Sequence, residues 1–466
     1  MFGSALRQGT ESTQRQQAIL VIGERTAMNI SEPKIVIGHR EHLWILLSEA
    51  LQLEHMIMCQ YLFAQFSLKD GARDGLTADQ ADAVDRWRTM VRGIAIEEML
   101  HMALVANLMS AIGAAPNFGR PNFPQRSGYF PAEVRLDLLP FGEQALDHFL
   151  FLERPEGMQR DDGSEFVETA SPRDPVDPRE TLPRGQEYAT IGHLYRGIAD
   201  GLRNLSSRLG ERAVFVGSPH VQATPELFRW PQLVSVTDLE SALVAVETII
   251  EQGEGALGDW ETAHYGRFLS IRREFDAMLR ADPTFEPARP ALAAFLRQPF
   301  DIPTAQPLIT DAEARRIAEL AGLTYELILG VLLRVFTHTD ESNAQLGTLL
   351  DAALALMAKV LQPLGTALTT LPVGSSYPGR TTGFAFEMHY VLGNMTPHRE
   401  PAWALLAERG RMLAHRCSQV AAEPSHHADL PAVTGEAAAH AHAIADALTA
   451  QVPAELRPEP GQASQL

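Results

Sequence analysis

Residues 53–68, LEHMIMCQYLFAQFSL, and residues 94–116, IAIEEMLHMALVANLMSAIGAAP, decide the fold of this 466-residue chain. Both stretches lie in longer segments in which apolar residues recur at helical spacing. The first segment predicts an amphipathic helix over residues 40–66. The second predicts a helix that runs from a capping box at residues 77–80 to Ile112, where a glycine follows. Because one short connector joins the two helices, we expect them to pack antiparallel.

The next part of the chain predicts a second pair of helices after a long connection. Residues 114–189 contain many prolines, which forbid long helices. A helical pattern returns over residues 190–209, with Thr190 as its N-cap, and a second helix follows a capping box at residues 237–240. A further short helix is predicted over residues 261–279. A mainly α fold follows, in which a long crossover insertion joins two helix pairs of one bundle.

Changes in composition divide the chain into five segments. Residues 1–33 are polar and aperiodic and read as a flexible N-terminal arm. Residues 34–280 hold the bundle, and a Pro-rich linker spans residues 281–309. Residues 310–421 predict a C-terminal helical region, whose first helix begins at a capping box at residues 310–313. The Ala/His/Pro-rich composition of residues 422–466 favours a partly disordered tail.

The overall composition restricts the class of function. Hydrophobic residues make up 45% of the chain, which suits a sizeable core, and the formal net charge is −19. That charge repels nucleic acid and anionic lipid, so we expect a small-molecule substrate, no nucleic-acid partner and no membrane partner. No continuous apolar run approaches the roughly 18–20 residues that span a bilayer, and the N-terminus has no signal-peptide pattern. The two cysteines, Cys59 and Cys417, form no CxxC motif, which suits a reducing cytoplasm.

Acidic and histidine side chains interrupt the apolar faces of the first two helices. Glu54 lies on the first helix, while Glu98 and His101 form a Glu-x-x-His element on the second. This spacing puts a carboxylate and an imidazole on one helix face, as in dinuclear carboxylate-bridged bundles. Because Glu97 adjoins Glu98, at least one of the two should face solvent. The alternative is that these groups form ordinary salt bridges.

A second group of candidates lies on the later helices. Glu247, Glu251 and Glu254 share one face at i, i+4 and i+7, where like charges repel unless a cation lies between them. For Glu254, an exposed position beside its glycines is an equal alternative. Glu261 and His264 form a second Glu-x-x-His element, which reaches the same site as Glu251 only if the intervening glycines bend the chain back.

Several motifs in order resemble one known family. They are LEHMIMCQYLFAQFSL, IAIEEMLHMALVANLMSAIGAAP, YATIGHLYRGI, IIEQGEGAL and AHYGRFLSI, within residues 38–280. Together they resemble the ferritin-like iminophenyl-pyruvate dimer synthases of violacein and chromopyrrolic acid pathways. LMAKVLQPLGTALTTLP and GFAFEMHY resemble the segment that follows this domain in the violacein-pathway enzyme. The resemblance implies a ferritin-like helix bundle, iron dependence and oxidative chemistry on an amino-acid-derived substrate.

The resemblance also implies a set of metal ligands. Carried over by position, these ligands are Glu54, Glu98, His101, Glu251 and His264. One departure from the family pattern concerns the third helix, where His193 stands in place of a carboxylate. His193 is either a replacement ligand or a sign that this ligand is absent, so the site holds one or two iron ions, with manganese as an alternative. A haem held by a histidine stays open, although the chain has no CxxCH motif. Tyr61 and Tyr195 are expected to orient the ligands or relay protons.

Two classes of function are consistent with these features. The first is a cytoplasmic enzyme of secondary metabolism, either an iron-dependent oxidase or oxygenase or an oxidative imine-coupling synthase, acting on a small amino-acid-derived metabolite. Such a synthase would work with a pathway-partner oxidase, and a homodimer is an open alternative for its assembly. The second is a non-catalytic ferritin-like metal-binding protein or helical scaffold.

Overall fold

The computed structural model describes residues 34–126, 134–158, 160, 162, 176–177, 180–255, 260–389 and 395–457. The predicted N-terminal arm, residues 1–33, lies outside the described residues. So do most of residues 157–185, in the predicted crossover, and the last nine residues of the predicted tail.

Helices dominate the described residues. In chain order they are α1 (Arg40–Ser67), α2 (Ala78–Ala111), α3 (Glu143–Leu152), α4 (Ile191–Leu209), α5 (Glu211–Val214), α6 (Pro225–Phe228), α7 (Leu239–Gly253), α8 (His264–Ala281), α9 (Ala312–Phe336), α10 (Asn343–Ala355), α11 (Gln362–Leu368), α12 (Arg399–Ala422) and α13 (Leu430–Ala450). Four short strands accompany them: β1 (Gln125–Arg126), β2 (Arg135–Leu136), β3 (Ala291–Ala294) and β4 (Thr381–Phe384). A π-helical stretch, Leu356–Leu361, joins α10 to α11.

Helices α1, α2, α4 and α7 form the predicted bundle. Helix α1 packs on α2 and α4, and α7 closes the bundle by packing on the same two helices. Helix α8 lies against α2, α7 and α3, and α3 belongs to the predicted crossover insertion. This arrangement matters because the faces of α1 and α2 that carry the candidate ligands point into the bundle.

Local capping explains where the bundle helices begin. Thr77 and Gln80 form the predicted capping box, and the Thr190 side chain accepts a hydrogen bond from the His193 backbone N–H. The other two caps lie one residue later than the predicted boxes, at Asp238 and Asp311. A carboxylate accepts from the third backbone N–H at least as well as a threonine hydroxyl does, so the aspartate takes the N-cap position.

The C-terminal region extends beyond its predicted boundaries. Strand β3 lies in the predicted linker but pairs in parallel with β4, so this segment is part of a packed structure. The predicted disorder of the tail is wrong over α13, which packs along α12. Buried alanines, among them Ala441 and Ala445, let α13 approach α12 closely at Gly410. The low polarity of alanine therefore marks a helix interface here, not a loose tail.

Two helical stretches are long and apolar enough to cross a membrane by length and composition. They are Ala78–Ala111 and Asn343–Leu368, and 83% and 44% of their most apolar windows are buried, respectively. Burial in the bundle accounts for the apolar character of the first stretch. The second stretch keeps an exposed apolar side, which borders the cavity described below.

A buried ion pair connects α9 to the start of α10. The side chains of Arg334 and Glu341 are both fully buried, and Arg334 Nη2 donates to Glu341 Oε2 at 2.7 Å. Trp403 Nε1 donates to the same carboxylate at 3.1 Å. Burial disfavours the ionised glutamate, but the hydrogen bonds from Arg334 and from the Thr339 backbone outweigh it and lower the pKa of Glu341 to about 2.

We expect Glu341→Gln to lower the free energy of unfolding by about 3 kcal/mol, because it leaves the Arg334 charge buried without its counter-ion. The comparison variant is Asp340→Asn, because Asp340 forms an ion pair with Arg399 and is largely exposed. This variant should lower the free energy of unfolding by at most about 1 kcal/mol. Because the folded pKa of Glu341 lies below its usual 4.5, the stabilisation is complete above that pH and is lost as pH falls toward 2. Urea unfolding of both variants across this pH range measures the effect, and equal losses for the two would contradict it.

Candidate metal centre

Helices α1 and α2 bring three of the predicted ligands together. Glu54, Glu98 and His101 are each at most 2% exposed, and their nearest ligand atoms lie within 4.8 Å of one another. His101 Nδ1 lies 2.8 Å from Glu98 Oε2 and 3.5 Å from Glu54 Oε2. A buried triad of two carboxylates and one imidazole is a suitable ligand set for iron or manganese.

A second triad adjoins the first and shares Glu98 with it. It consists of Glu98, Glu153 and His264, again with ligand atoms within 4.8 Å of one another. His264 is the first residue of α8, and Glu153 directly follows the last residue of α3. His264 Nδ1 lies 3.0 Å from Glu98 Oε1 and 3.6 Å from Glu153 Oε1. One oxygen of Glu98 therefore faces each triad, as expected of a carboxylate that bridges two cations.

His264 provides a direct test of whether a cation fits. Its Nε2 lies 2.9 Å from Glu97 Oε2, so a ring that is neutral, as a metal-binding histidine must be, donates its single N–H there and leaves Nδ1 as an acceptor. Nδ1 is buried without a hydrogen-bond partner and faces the oxygens of two carboxylates. Acceptors turned toward one another in a dry interior are unfavourable unless a proton or a metal ion lies between them. The second triad thus has the geometry and the chemistry of a metal site.

The pKa values in the cluster show how strongly its negative charge needs a counterpart. Burial and the neighbouring Glu98 charge raise the pKa of Glu54 to about 7. Burial opposes the charged form of His101, but Glu98 and Glu54 outweigh it and raise the pKa of His101 to about 10. Burial likewise opposes a charged His264, yet Glu98 and Glu153 hold its pKa well above the usual value. Protons therefore take the place of cations here, and a divalent ion would displace them.

Neighbouring side chains orient the ligands as predicted for Tyr61 and Tyr195. Tyr195 donates its hydroxyl proton to Glu54 Oε1 at 2.5 Å, and Tyr61 donates to Glu153. On the outer side of His101, Nε2 lies 3.0 Å from Gln252 Oε1. Because this amide oxygen can only accept, it fixes the proton on Nε2 and turns Nδ1 toward the carboxylates.

The structure does not place Glu251 at the site. Its side chain is exposed on α7, as is that of Glu247, so the predicted acidic face lies in solvent. The buried side of α7 is formed by apolar residues such as Val246 and Ile249. Gln252, one position further along, faces His101 instead, because consecutive residues of a helix differ by about 100° in direction.

Glu254, which directly follows α7, is buried, but its contacts stabilise the fold and do not reach the triads. Its Oε1 accepts from the Gly192 backbone N–H at 2.8 Å, and its Oε2 pairs with Arg196 at 3.0 Å. A Cβ on residue 192 would lie 2.3 Å from the Glu254 carboxylate, so only glycine fits there. Glu254 thus holds the N-terminus of α4, where a negative charge also complements the helix dipole.

His193 lies outside both triads found among the described residues. It sits in the first turn of α4, and its Nδ1 accepts a hydrogen bond from the Ala189 backbone N–H at 3.1 Å. From this helix it is Tyr195 that reaches the cluster, through Glu54. Helix α4, the third helix of the bundle, contributes no carboxylate to either triad. Glu153, from the crossover insertion, contributes one to the second triad.

Sequence reasoning missed Glu153 because no pattern marked it. It lies in the segment ERP, outside any Glu-x-x-His element and in a region predicted to be loop or short structure. The one available signal was the apolar run before it, Ala145–Leu152, which is buried as α3 and carries Glu153 inward. Only the packing of α3 on α8 brings Glu153 to His264.

A comparison of sequences assigns part of the chain to a known family. Residues 47–273 match the sequence model of the Ferritin-like family, so this part of the chain is a ferritin-like domain. A solved ferritin-like protein from Caulobacter vibrioides is 19% identical and covers 76% of this chain and 100% of its own, with a TM-score of 0.48.

Two curated relatives are enzymes by name, and they confirm the family resemblance. The chain is 26% identical over 378 residues to dichlorochromopyrrolate synthase of Lentzea aerocolonigenes, covering 76% of this chain. It is 29% identical over 399 residues to 2-imino-3-(indol-3-yl)propanoate dimerase of Chromobacterium violaceum, covering 81% of this chain. The chain is therefore a relative of these dimer synthases. Each match spans 36% of the relative's own length.

Proposed function

We propose that this protein is a non-haem iron enzyme that catalyses an oxidative step, in which imine units derived from amino acids are coupled. The observation that carries the proposal is the pair of buried triads that share Glu98, with His264 Nδ1 unpartnered between carboxylates. Structural salt bridges would pair these acids with arginine or lysine, whereas among the described residues their partners are histidines and tyrosines. This favours an enzyme over a non-catalytic scaffold.

The residues have separable roles in this proposal. Glu54 and His101 would hold one iron, Glu153 and His264 would hold a second, and Glu98 would bridge them. Iron, when bound, supplies one-electron chemistry with O₂ or peroxide that these side chains lack on their own. The Tyr195 and Tyr61 hydroxyls donate hydrogen bonds to Glu54 and Glu153 and so leave the other carboxylate oxygens to face the cations. Manganese would fit the same oxygen and nitrogen ligands.

The relatives' names support the substrate class. A synthase of a chromopyrrolate and a dimerase of an indolyl imino acid both join two units derived from amino acids. We therefore propose a small imino acid as substrate, supplied by a partner amino-acid oxidase, and a cytoplasmic location in secondary metabolism. The structure contains no second chain, so a homodimer stays a prediction.

Metal analysis of the purified protein tests the proposal. After anaerobic loading with Fe²⁺ and desalting, we expect two iron ions per chain and anomalous density at the iron edge on both sides of Glu98. Glu251→Ala should retain the same metal content, because Glu251 is exposed on α7. Absence of bound iron and manganese in the wild type would contradict the proposal. A loss of metal in Glu251→Ala would contradict the ligand assignment.

Activity is a separate readout. The loaded protein, supplied with an amino acid and an amino-acid oxidase, should yield a coupled dimer detectable by mass spectrometry, and the metal-free protein should not. Equal yields from both forms would rule out a role for the metal in coupling.

A further inference from the structure

A cavity of about 320 Å³ lies between the bundle and the C-terminal helical region, away from the metal centre. Its walls come from α1 and α2 on one side and from α9 and α10 on the other. On α2, the cavity is lined by Ile96, Met99, Met102 and Ala103. At 3.6 residues per turn, Ile96, Met99 and Ala103 lie on the face opposite to Glu98 and His101, and Met102 lies at the edge between the two faces. The cavity is therefore distinct from the carboxylate cluster.

The walls of this cavity are almost entirely apolar and rich in rings. Its aromatic residues are Phe118, Phe228, Trp230, Tyr325, Phe336 and Phe386. Methionines add flexible, polarisable surface that adapts to a flat ligand. The volume lies at the lower end of the roughly 300–1,000 Å³ typical of small-molecule sites. A compound with two fused rings would fill much of it.

The floor of the cavity is polar but internally satisfied. His55 Nδ1 lies 2.9 Å from the Phe118 carbonyl oxygen, so the ring carries its proton there and Nε2 is an acceptor. Tyr325 then donates its hydroxyl proton to His55 Nε2 at 2.6 Å and accepts from Arg120 Nη2 at 3.0 Å. Its only hydrogen-bond donor is thus in use. Among the described residues that line the floor, His55 and Tyr325 thus offer a ligand no free donor, and a carboxylate inserted against them would be unpaired.

The mouth of the cavity keeps apolar side chains in solvent. Ile96 is 42% exposed and Leu354 is 57% exposed, and both line the opening. Arg229 and Asp351 lie across the same opening, 3.9 Å apart and both largely exposed. The concave shape, the depth down to Tyr325 and the aromatic walls favour a small molecule over a flat protein partner.

We propose that this cavity is a second binding site, separate from the metal centre, for an uncharged aromatic compound of two fused rings. The fused rings of the ligand would stack between Phe118, Phe336 and the methionines. The ligand requires no hydrogen bond to the floor. The site does not depend on iron or on the proposed coupling reaction.

Gly347 gives a way to fill the cavity without disturbing its walls. It lines the cavity on α10, and a Cβ built there meets nothing within 4 Å. Gly347→Phe should therefore place a ring in the space that the ligand needs, while Gly347→Ala leaves it open. Gly435 on α13 is a matched control, because a Cβ there also meets nothing within 4 Å and it lies outside the cavity.

Isothermal titration of the full chain with 2-naphthol tests the proposal. We expect one site per chain, at least a tenfold loss of affinity in Gly347→Phe, and less than a twofold change in Gly347→Ala and Gly435→Phe. Ala103→Phe, which fills the opposite wall, should also lose at least tenfold if its thermal unfolding shows a folded protein. 2-Naphthoate, with the same rings and a charge, should bind at least fivefold more weakly.

Several results would overturn the proposal. No saturable binding of 2-naphthol to the wild type would show that the cavity is not a ligand site. Unchanged affinity in both Gly347→Phe and a folded Ala103→Phe would place the bound ring elsewhere. Equal affinity for 2-naphthoate would contradict the uncharged ligand class.

Discussion

Glu98→Ala is expected to abolish stoichiometric metal binding at both positions of the centre. Glu98 is the one carboxylate that belongs to both triads, and its two oxygens lie 2.8 Å from His101 Nδ1 and 3.0 Å from His264 Nδ1. Removing it leaves each position with one carboxylate and one imidazole. We expect a loss of affinity greater than the roughly 10–100-fold that follows removal of an outer hydrogen-bond partner. Metal content after Fe²⁺ loading and desalting, and titration with Mn²⁺, measure the effect.

Glu97→Ala is the matched control for this variant. Glu97 is the neighbouring residue and also a glutamate, but it lies on the outer side of His264 and pairs with Arg267. Its loss should weaken metal binding by about 10–100-fold through a less well oriented His264, while two ions still bind at saturation. A Glu98→Ala protein that retains two ions, or a Glu97→Ala protein that loses both, would refute the bridging role of Glu98.

Helical periodicity predicted most of the bundle because its signal is local. The capping box at Thr77 and the N-cap at Thr190 were predicted correctly, since each depends on residues within one turn. Within the tail, the prediction of disorder was wrong over α13 for the opposite reason. Helix α13 is stabilised by packing on α12, and alanine spacing alone does not reveal a partner that lies elsewhere in the chain.

The same distinction applies to the candidate site. Glu98 and His101 were identified because they share one helix face at a fixed spacing, and Glu54 because it lies on the adjoining helix. Glu251 was carried over from the family resemblance, yet the phase of α7 turns Gln252 inward instead, and a shift of one residue changes direction by about 100°. Glu153 depends on tertiary packing alone.

Glu153→Ala separates a centre of two metals from a centre of one. Glu153 belongs only to the second triad, so its removal should leave Glu54, Glu98 and His101 able to hold one ion. We expect iron content to fall from two ions per chain to one, and the anomalous density beside His264 to disappear while that beside His101 stays. If the protein binds one metal at the first triad, Glu153→Ala will leave the metal content unchanged, which would contradict the two-metal assignment.

Tyr61→Phe tests whether binding of the second metal depends on the Glu153 carboxylate or on the packing around Tyr61. The Tyr61 hydroxyl donates to Glu153, and the ring packs against Phe149 and Phe268, so phenylalanine keeps the packing and removes one hydrogen bond. We expect two ions at saturation, with the second bound about 10–100-fold more weakly, because Glu153 remains but is less firmly oriented. A Tyr61→Phe protein that binds only one ion, like Glu153→Ala, would mean that the second triad depends on the packing around Tyr61 and not on Glu153 as a ligand. If Glu153→Ala binds one ion and Tyr61→Phe binds two, the second metal is held by a carboxylate from the crossover insertion. No helical spacing in the bundle predicts that ligand.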